Sequence, residues 1–158
     1  MNFEALLRAL AEGGAEFIVV GGVAATAHGS ARLTLDLDVV YARHLANLEH
    51  LAAALAPFHP YLRGAPPGLP FQLDVPTLRA GLNFTLTTDL GAIDLLGEIT
   101  GGGGYTELVA HSIETPIAGV SVRCLDLDTL IHVKRAAGRP KDLEAIAELQ
   151  AIRDERRD

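Results

Sequence analysis

Two aspartates one residue apart, Asp36 and Asp38, sit in a run where Leu35, Leu37 and Val39 fill the alternate positions and Thr34 shares the aspartates' parity. In a strand, residues two apart share a face, so one face here is aliphatic and the other carries two carboxylates and a hydroxyl. Aspartate is depleted in strands because it favours caps and turns, so two on one strand face need a reason. The same logic recurs at Ala92–Gly97, where Ile93 and Leu95 flank Asp94 on the opposite face. If the two strands are neighbours, three carboxylates converge, enough oxygen donors for one or two Mg²⁺ ions.

The elements that must position them follow from periodicity. Phe3, Leu6, Leu7 and Leu10 recur at helical spacing and Gly13-Gly14 stops that helix near Glu12. Glu16 to Val20 reads as a buried strand, Gly21-Gly22 as a turn, and Val23 to His28 as a short alanine-rich helix ended by Gly29. Leu45 to Leu55 is an amphipathic helix with Leu48, Leu51, Ala52 and Leu55 inward. Pro57 to Pro76 is proline- and glycine-rich and reads mostly as loop, with a turn of helix near Thr77 to Ala80. Asn83 to Thr88 and Ala92 to Ile99 form a hairpin about Asp89-Leu90-Gly91, and Gly101 to Gly104 is a flexible connection or a lid. A short helix over Tyr105–His111 and a strand over Gly119–Cys124 follow. The second Leu-Asp-Leu-Asp, Leu125 to Asp128, opens a helix, with Asp126 as N-cap and Asp128 in the positive first turn. Gly138 ends that helix, Pro140 starts the last, and Leu143, Ile146 and Leu149 pack it down. Residues 153–158 form a charged, frayed tail.

Several other side chains have two readings at this level. Gly21-Gly22 is an ordinary tight turn or a phosphate cradle of backbone N–H groups. His28 is a core or helix-end histidine, Arg32 a solvated cation or a neutraliser of phosphate, and Thr34 a good strand former or a contact for metal-bound phosphate. Lys134, placed by spacing within the apolar stripe of its helix, either snorkels or reaches a phosphate as a point charge. With Arg135, Arg139 and Lys141 it makes the only local concentration of positive charge.

A chain of 158 residues, 49% hydrophobic, fits one domain spanning 1–158 with a real core. Its net charge of -7 argues against broad, nonspecific nucleic-acid binding. The single cysteine, Cys124, excludes an intrachain disulfide, no cysteine-histidine cluster has zinc spacing, and no apolar run is long enough to span a membrane. The N-terminus has no basic segment leading into an apolar one, so the expected location is the cytoplasm.

The order Gly21-Gly22, His28-Gly29, Arg32, Thr34, Asp36, Asp38, Asp94 and a late Lys134 within KRAAGRPKDL resembles the nucleotidyltransferase superfamily with the polymerase-beta-like palm. Within it the chain is most similar to the branch of AbiEii-type abortive-infection toxins. The resemblance covers about Glu16 to Leu149 and implies an α+β fold, a small mixed sheet with helices packed on it. It implies that Asp36, Asp38 and Asp94 coordinate Mg²⁺ or Mn²⁺, that Gly21 and Gly22 hold a triphosphate with Arg32 and Thr34 nearby, and that Lys134 contacts phosphate. The widespread motif has Gly-Ser, whereas Gly22 stands here in place of the serine.

The activity so implied is metal-assisted transfer of an NMP from an NTP to a hydroxyl of an RNA such as tRNA, a protein or a small molecule, with Asp94 drawing off the acceptor proton. A toxin–antitoxin protein partner belongs to the same expectation. A different class of reading, an inactive nucleotide-binding or regulatory module acting by contact, also fits the sequence, as does, less well, a metal-dependent hydrolase.

Overall fold

In the computed structural model, which describes residues 2–157, helix α1 (Phe3–Glu12) is capped by Asn2, whose side chain accepts from the Ala5 amide at 2.9 Å, and it buries Leu6, Leu7 and Leu10 completely. Strand β1 (Phe17–Val20) is buried at every position because it lies inside the sheet. Helix α2 (Gly21–Ala27) follows without a break, so Gly21 and Gly22 are its first two residues rather than a separate turn. Next come β2 (Asp36–Tyr41), α3 (Leu45–Leu55), the two-residue β3 (Tyr61–Leu62), α4 (Val75–Ala80), β4 (Asn83–Thr88) and β5 (Gly91–Leu96). A small ribbon pairs β6 (Glu98–Ile99) with β7 (Gly103–Gly104), so the glycine run carries a strand of its own. The chain ends with α5 (Tyr105–Leu108), β8 (Ser112–Ile117), β9 (Val120–Leu125), α6 (Leu127–Ala137) and α7 (Leu143–Arg157).

The main sheet has seven strands in the order β3-β4-β5-β2-β1-β9-β8. It is mixed: β2 runs parallel to β5 and β1 parallel to β9, while the other neighbours are antiparallel. Helices pack on it in two sets, α1 with α3 and α4, and α2 with α6 and α7. This is the expected mixed sheet with helices packed on it.

Several local expectations are corrected. Thr34 is not on the strand: β2 begins at Asp36, because β1 ends opposite Asp38 and β5 pairs no further back than Asp36. With no ladder to join, residues 30–35 form an irregular segment, and Leu35 is 73% exposed rather than core, beside Leu33 at 88%. Strand β8 was not expected; it is an edge strand paired only with β9, a place where Pro116 is tolerated, and it turns through Ala118 and Gly119, both at positive φ. Leu143 is exposed, leaving Ala145 and Leu149 to bury α7. Nor is the tail frayed over 153–157: α7 continues to Arg157, and Arg156 donates to the His28 carbonyl at 2.9 Å and to His28 Nδ1 at 3.1 Å. Residue 158 lies outside the described residues.

One buried polar side chain ties the sheet to α3. Asn47, fully buried, accepts from the Glu16 amide at 2.6 Å and donates to the carbonyls of Glu16 at 3.0 Å and Ala42 at 2.7 Å. Removing it takes the side-chain partner from the Glu16 amide and the Ala42 carbonyl, while the Glu16 carbonyl keeps the Ala42 amide at 3.1 Å, so Asn47→Ala is expected to lower unfolding free energy by about 3 kcal/mol. Urea denaturation of the two proteins measures this, and a loss under about 1 kcal/mol would contradict it.

Candidate active site

The parallel pairing of β2 with β5 sets Asp38 directly beside Asp94 and Asp36 beside Ala92. Period-2 alternation turns Leu37, Val39, Ile93 and Leu95 into the core and the three aspartates to the other face. One oxygen from each of Asp36, Asp38 and Asp94 lies within 4.8 Å of the others. The convergence anticipated from the sequence is therefore present.

The neighbourhood of this cluster is built by close approach. A Cβ on Gly21, whose φ is +66°, would come within 3.0 Å of the Asp38 Cβ and collide with its carboxylate. A Cβ on Gly22 would fall 2.5 Å from Thr34 Oγ1. Gly22, where the widespread motif has serine, therefore leaves the room that the Thr34 side chain fills. The Thr34 hydroxyl donates to the Asp36 carbonyl at 3.1 Å, so it touches β2 from the segment before the strand. That segment is strapped to α7: Glu148 accepts from Ser30 Oγ at 2.5 Å and from the Ala31 amide at 3.1 Å, and Glu144 pairs with Arg32 at 3.1 Å.

Arg32 thus points to α7 instead of the carboxylates, yet it lines a cavity of about 380 Å³ that also touches Gly22, Thr34, Asp36, Lys134 and Arg139. A second cavity, about 290 Å³, lies on the other side, with Gly21, Asp38 and Lys134 beside an apolar wall of Leu96, Ile99, Leu130 and Val133. Lys134 and Arg139 border both cavities. The Lys134 side chain is only 18% exposed, and its ammonium sits 3.9 Å from buried Asp142, which Arg139 also holds, at 2.7 Å. Asp126 caps α6 as expected, accepting from the Thr129 amide at 2.8 Å, and Asp128 pairs with Arg153 and Arg157.

Sequence reasoning missed Arg63. From just beyond β3 it donates to Asp94 Oδ1 at 2.8 Å and lies 3.6 Å from Asp36 Oδ2. The signal that could have drawn attention to it is its solitude, as it is the only lysine or arginine between Arg43 and Arg79.

Burial, then the negative charges of Asp36 and Asp94, then a hydrogen bond shared with Asp94 push the Asp38 carboxyl up to about 8, against a smaller lowering by Arg63. Asp38 Oδ1 is buried with no hydrogen-bond partner. An all-oxygen donor set with an unpartnered carboxylate oxygen fits a hard divalent cation such as Mg²⁺ or Mn²⁺.

In metal-free solution the folded protein binds a proton at Asp38 that the unfolded chain gives up near the ordinary carboxylate pKa. Stability is thus expected to fall as pH rises from about 4 toward 8. Thermal melts in chelator should show a lower midpoint at about pH 8.5 than at about pH 6, and Asp38→Asn should remove most of that difference. An unchanged slope in the variant would contradict this account of the cluster.

No protein-family model matches the chain, and no curated protein matches it. Solved structures do match its fold. A candidate nucleotidyltransferase from Thermotoga maritima superposes with a TM-score of 0.56 at 13% identity, over 96% of each chain. The antibiotic-resistance factor ANT(2'')-Ia in solution gives 0.51 at 17% identity, over 96% of this chain and 89% of that one. ANT(2'')-Ia in complex with adenylyl-2''-tobramycin gives 0.54 at 17% identity, over 96% and 94%. The chain therefore has the fold of nucleotidyltransferases.

Proposed function

We propose that the protein is a metal-dependent nucleotidyltransferase that moves an NMP from an NTP to an acceptor hydroxyl. The observation that carries this reading is the convergence of Asp36, Asp38 and Asp94 beside the Gly21-Gly22 start of α2, on a fold shared with nucleotidyltransferases. Three carboxylates alone would repel a triphosphate, so binding requires positive charge between them. Asp36, Asp38 and Asp94 would hold Mg²⁺ or Mn²⁺. A cation held there supplies neutralisation of the phosphate charge and acidification of the attacking hydroxyl.

In the reaction the acceptor oxygen forms a bond to the α-phosphorus, the bond from that phosphorus to the bridging oxygen breaks, and pyrophosphate leaves. Asp94 would take the acceptor proton. Lys134 and Arg139, on the border of both cavities, and Arg32, in the larger one, supply cationic groups for the phosphates. Gly21 and Gly22 admit the close approach of Asp38 and Thr34 that any side chain there would block. Leu96, Ile99, Leu130 and Val133 offer an apolar wall to a base or to the acceptor.

Among RNA, protein and small-molecule acceptors we favour a small molecule. The net charge of -7 disfavours RNA, and the structure containing adenylyl-2''-tobramycin is one with which this chain aligns over 94% of that chain's length. A role as a toxin–antitoxin component remains part of the proposal through the resemblance of the sequence to AbiEii-type toxins.

Calorimetric titration of the four NTPs with and without Mg²⁺ tests the reading. Binding is expected only with the metal, and Asp36→Asn/Asp38→Asn should weaken it at least about a hundredfold, on the scale of losing buried charge partners. Pyrophosphate, not inorganic phosphate, should appear once an acceptor is supplied. Absence of NTP binding under every metal condition would overturn the transferase reading and favour the module that acts by contact.

A further inference from the structure

Arg63 is the one basic side chain that the described residues bring into ion-pairing distance of the three carboxylates. Its main chain is fastened to β4, the amide donating to the Thr85 carbonyl at 3.0 Å. Its side chain is held less completely. Nη2 donates to the Leu86 carbonyl at 2.7 Å and to Asp94 Oδ1 at 2.8 Å, Nη1 stands 3.6 Å from Asp36 Oδ2, and Nε is buried without an acceptor. A guanidinium in full register with a carboxylate makes two parallel bonds, and this one spreads a single good bond and a long contact over two residues. It engages an oxygen of Asp36 and an oxygen of Asp94, two of the three residues whose carboxylates converge closely enough to hold a cation. A divalent ion and a guanidinium that close repel each other strongly, so the two cannot share the carboxylates comfortably.

We propose that Arg63 is a displaceable counter-ion: it holds Asp36 and Asp94 together before a divalent cation arrives, competes with the cation for them, and leaves them when the cation binds. This rests on the reading of Asp36, Asp38 and Asp94 as a cation site. Arg63 is a positioning residue, acting on the carboxylates and not on the substrate. Its competition sets a threshold, so that the site fills with metal most readily when a nucleotide brings further negative charge.

The test is Mn²⁺ affinity by calorimetry at one fixed pH, without nucleotide, for wild type, Arg63→Gln and Arg63→Lys. Arg63→Gln is expected to bind Mn²⁺ about tenfold more tightly, the scale of removing one positive charge a few ångströms from a divalent ion in a wet site. Arg63→Lys, which keeps the charge, should stay near wild type; a merely structural role would make both variants behave alike. Equal affinity in all three proteins, or weaker binding by Arg63→Gln, overturns the inference while leaving the cation site standing. If none of the three binds Mn²⁺, the inference and the cation site fall together. Should Arg63→Gln fail to fold, nuclear magnetic resonance of wild type decides. The Nη signals of Arg63, separate while the guanidinium is held, are expected to merge on saturation with Mg²⁺, and signals that stay separate overturn the proposal.

Discussion

The register between β2 and β5 is the constraint on which the site depends. It seats Asp38 beside Asp94 in adjacent parallel strands, an arrangement of like charges that sheets ordinarily avoid. The protein tolerates it by two means visible in the structure. Arg63 lies against Asp94 and Asp36, and burial with the neighbouring charges lets Asp38 keep a proton up to about pH 8. A guanidinium and a proton together carry the charge of one divalent cation. The negative charge of the cluster is thus offset from within the protein itself.

The remaining elements fix the surroundings of that pairing. Strand β1, buried at every position, sits beside β2 and delivers the chain into α2, whose two glycines let the helix start press against Asp38 and Thr34. The segment before β2 gains no ladder hydrogen bonds and is instead held by Glu148 and Glu144 of α7. Helix α7 is in turn anchored through Arg156 to His28, whose Nε2 lies 2.8 Å from the Leu125 carbonyl. A chain of contacts therefore runs from the C-terminal helix to the wall of the larger cavity. Two of the buried polar side chains, His28 and Ser30, are links in it.

The carboxylate cluster was legible because strand alternation is a local rule: each aspartate declares its face through the aliphatic residues beside it. The one long-range condition, that the two strands be neighbours, is met in the structure. What failed depended on who pairs with whom. Thr34 has the parity of a strand residue, but β1 and β5 offer it no partner. Strand β8 carries a glutamate and a proline that argue against a strand until its edge position is known. Arg63 comes from a proline-rich stretch and reaches Asp94 only because β3, β4 and β5 lie side by side, a relation no local pattern encodes. The charged end of α7 looks frayed in isolation, and its contact with His28 spans 128 positions.

The most direct test of the central claim is a crystal grown with Mn²⁺ and a non-hydrolysable NTP analogue, examined by anomalous diffraction. An anomalous peak is expected, bounded by oxygens of Asp36, Asp38 and Asp94, with phosphate oxygens of the analogue on the same ion. Well-ordered carboxylates with no peak among them, or an analogue bound away from all three, would contradict it.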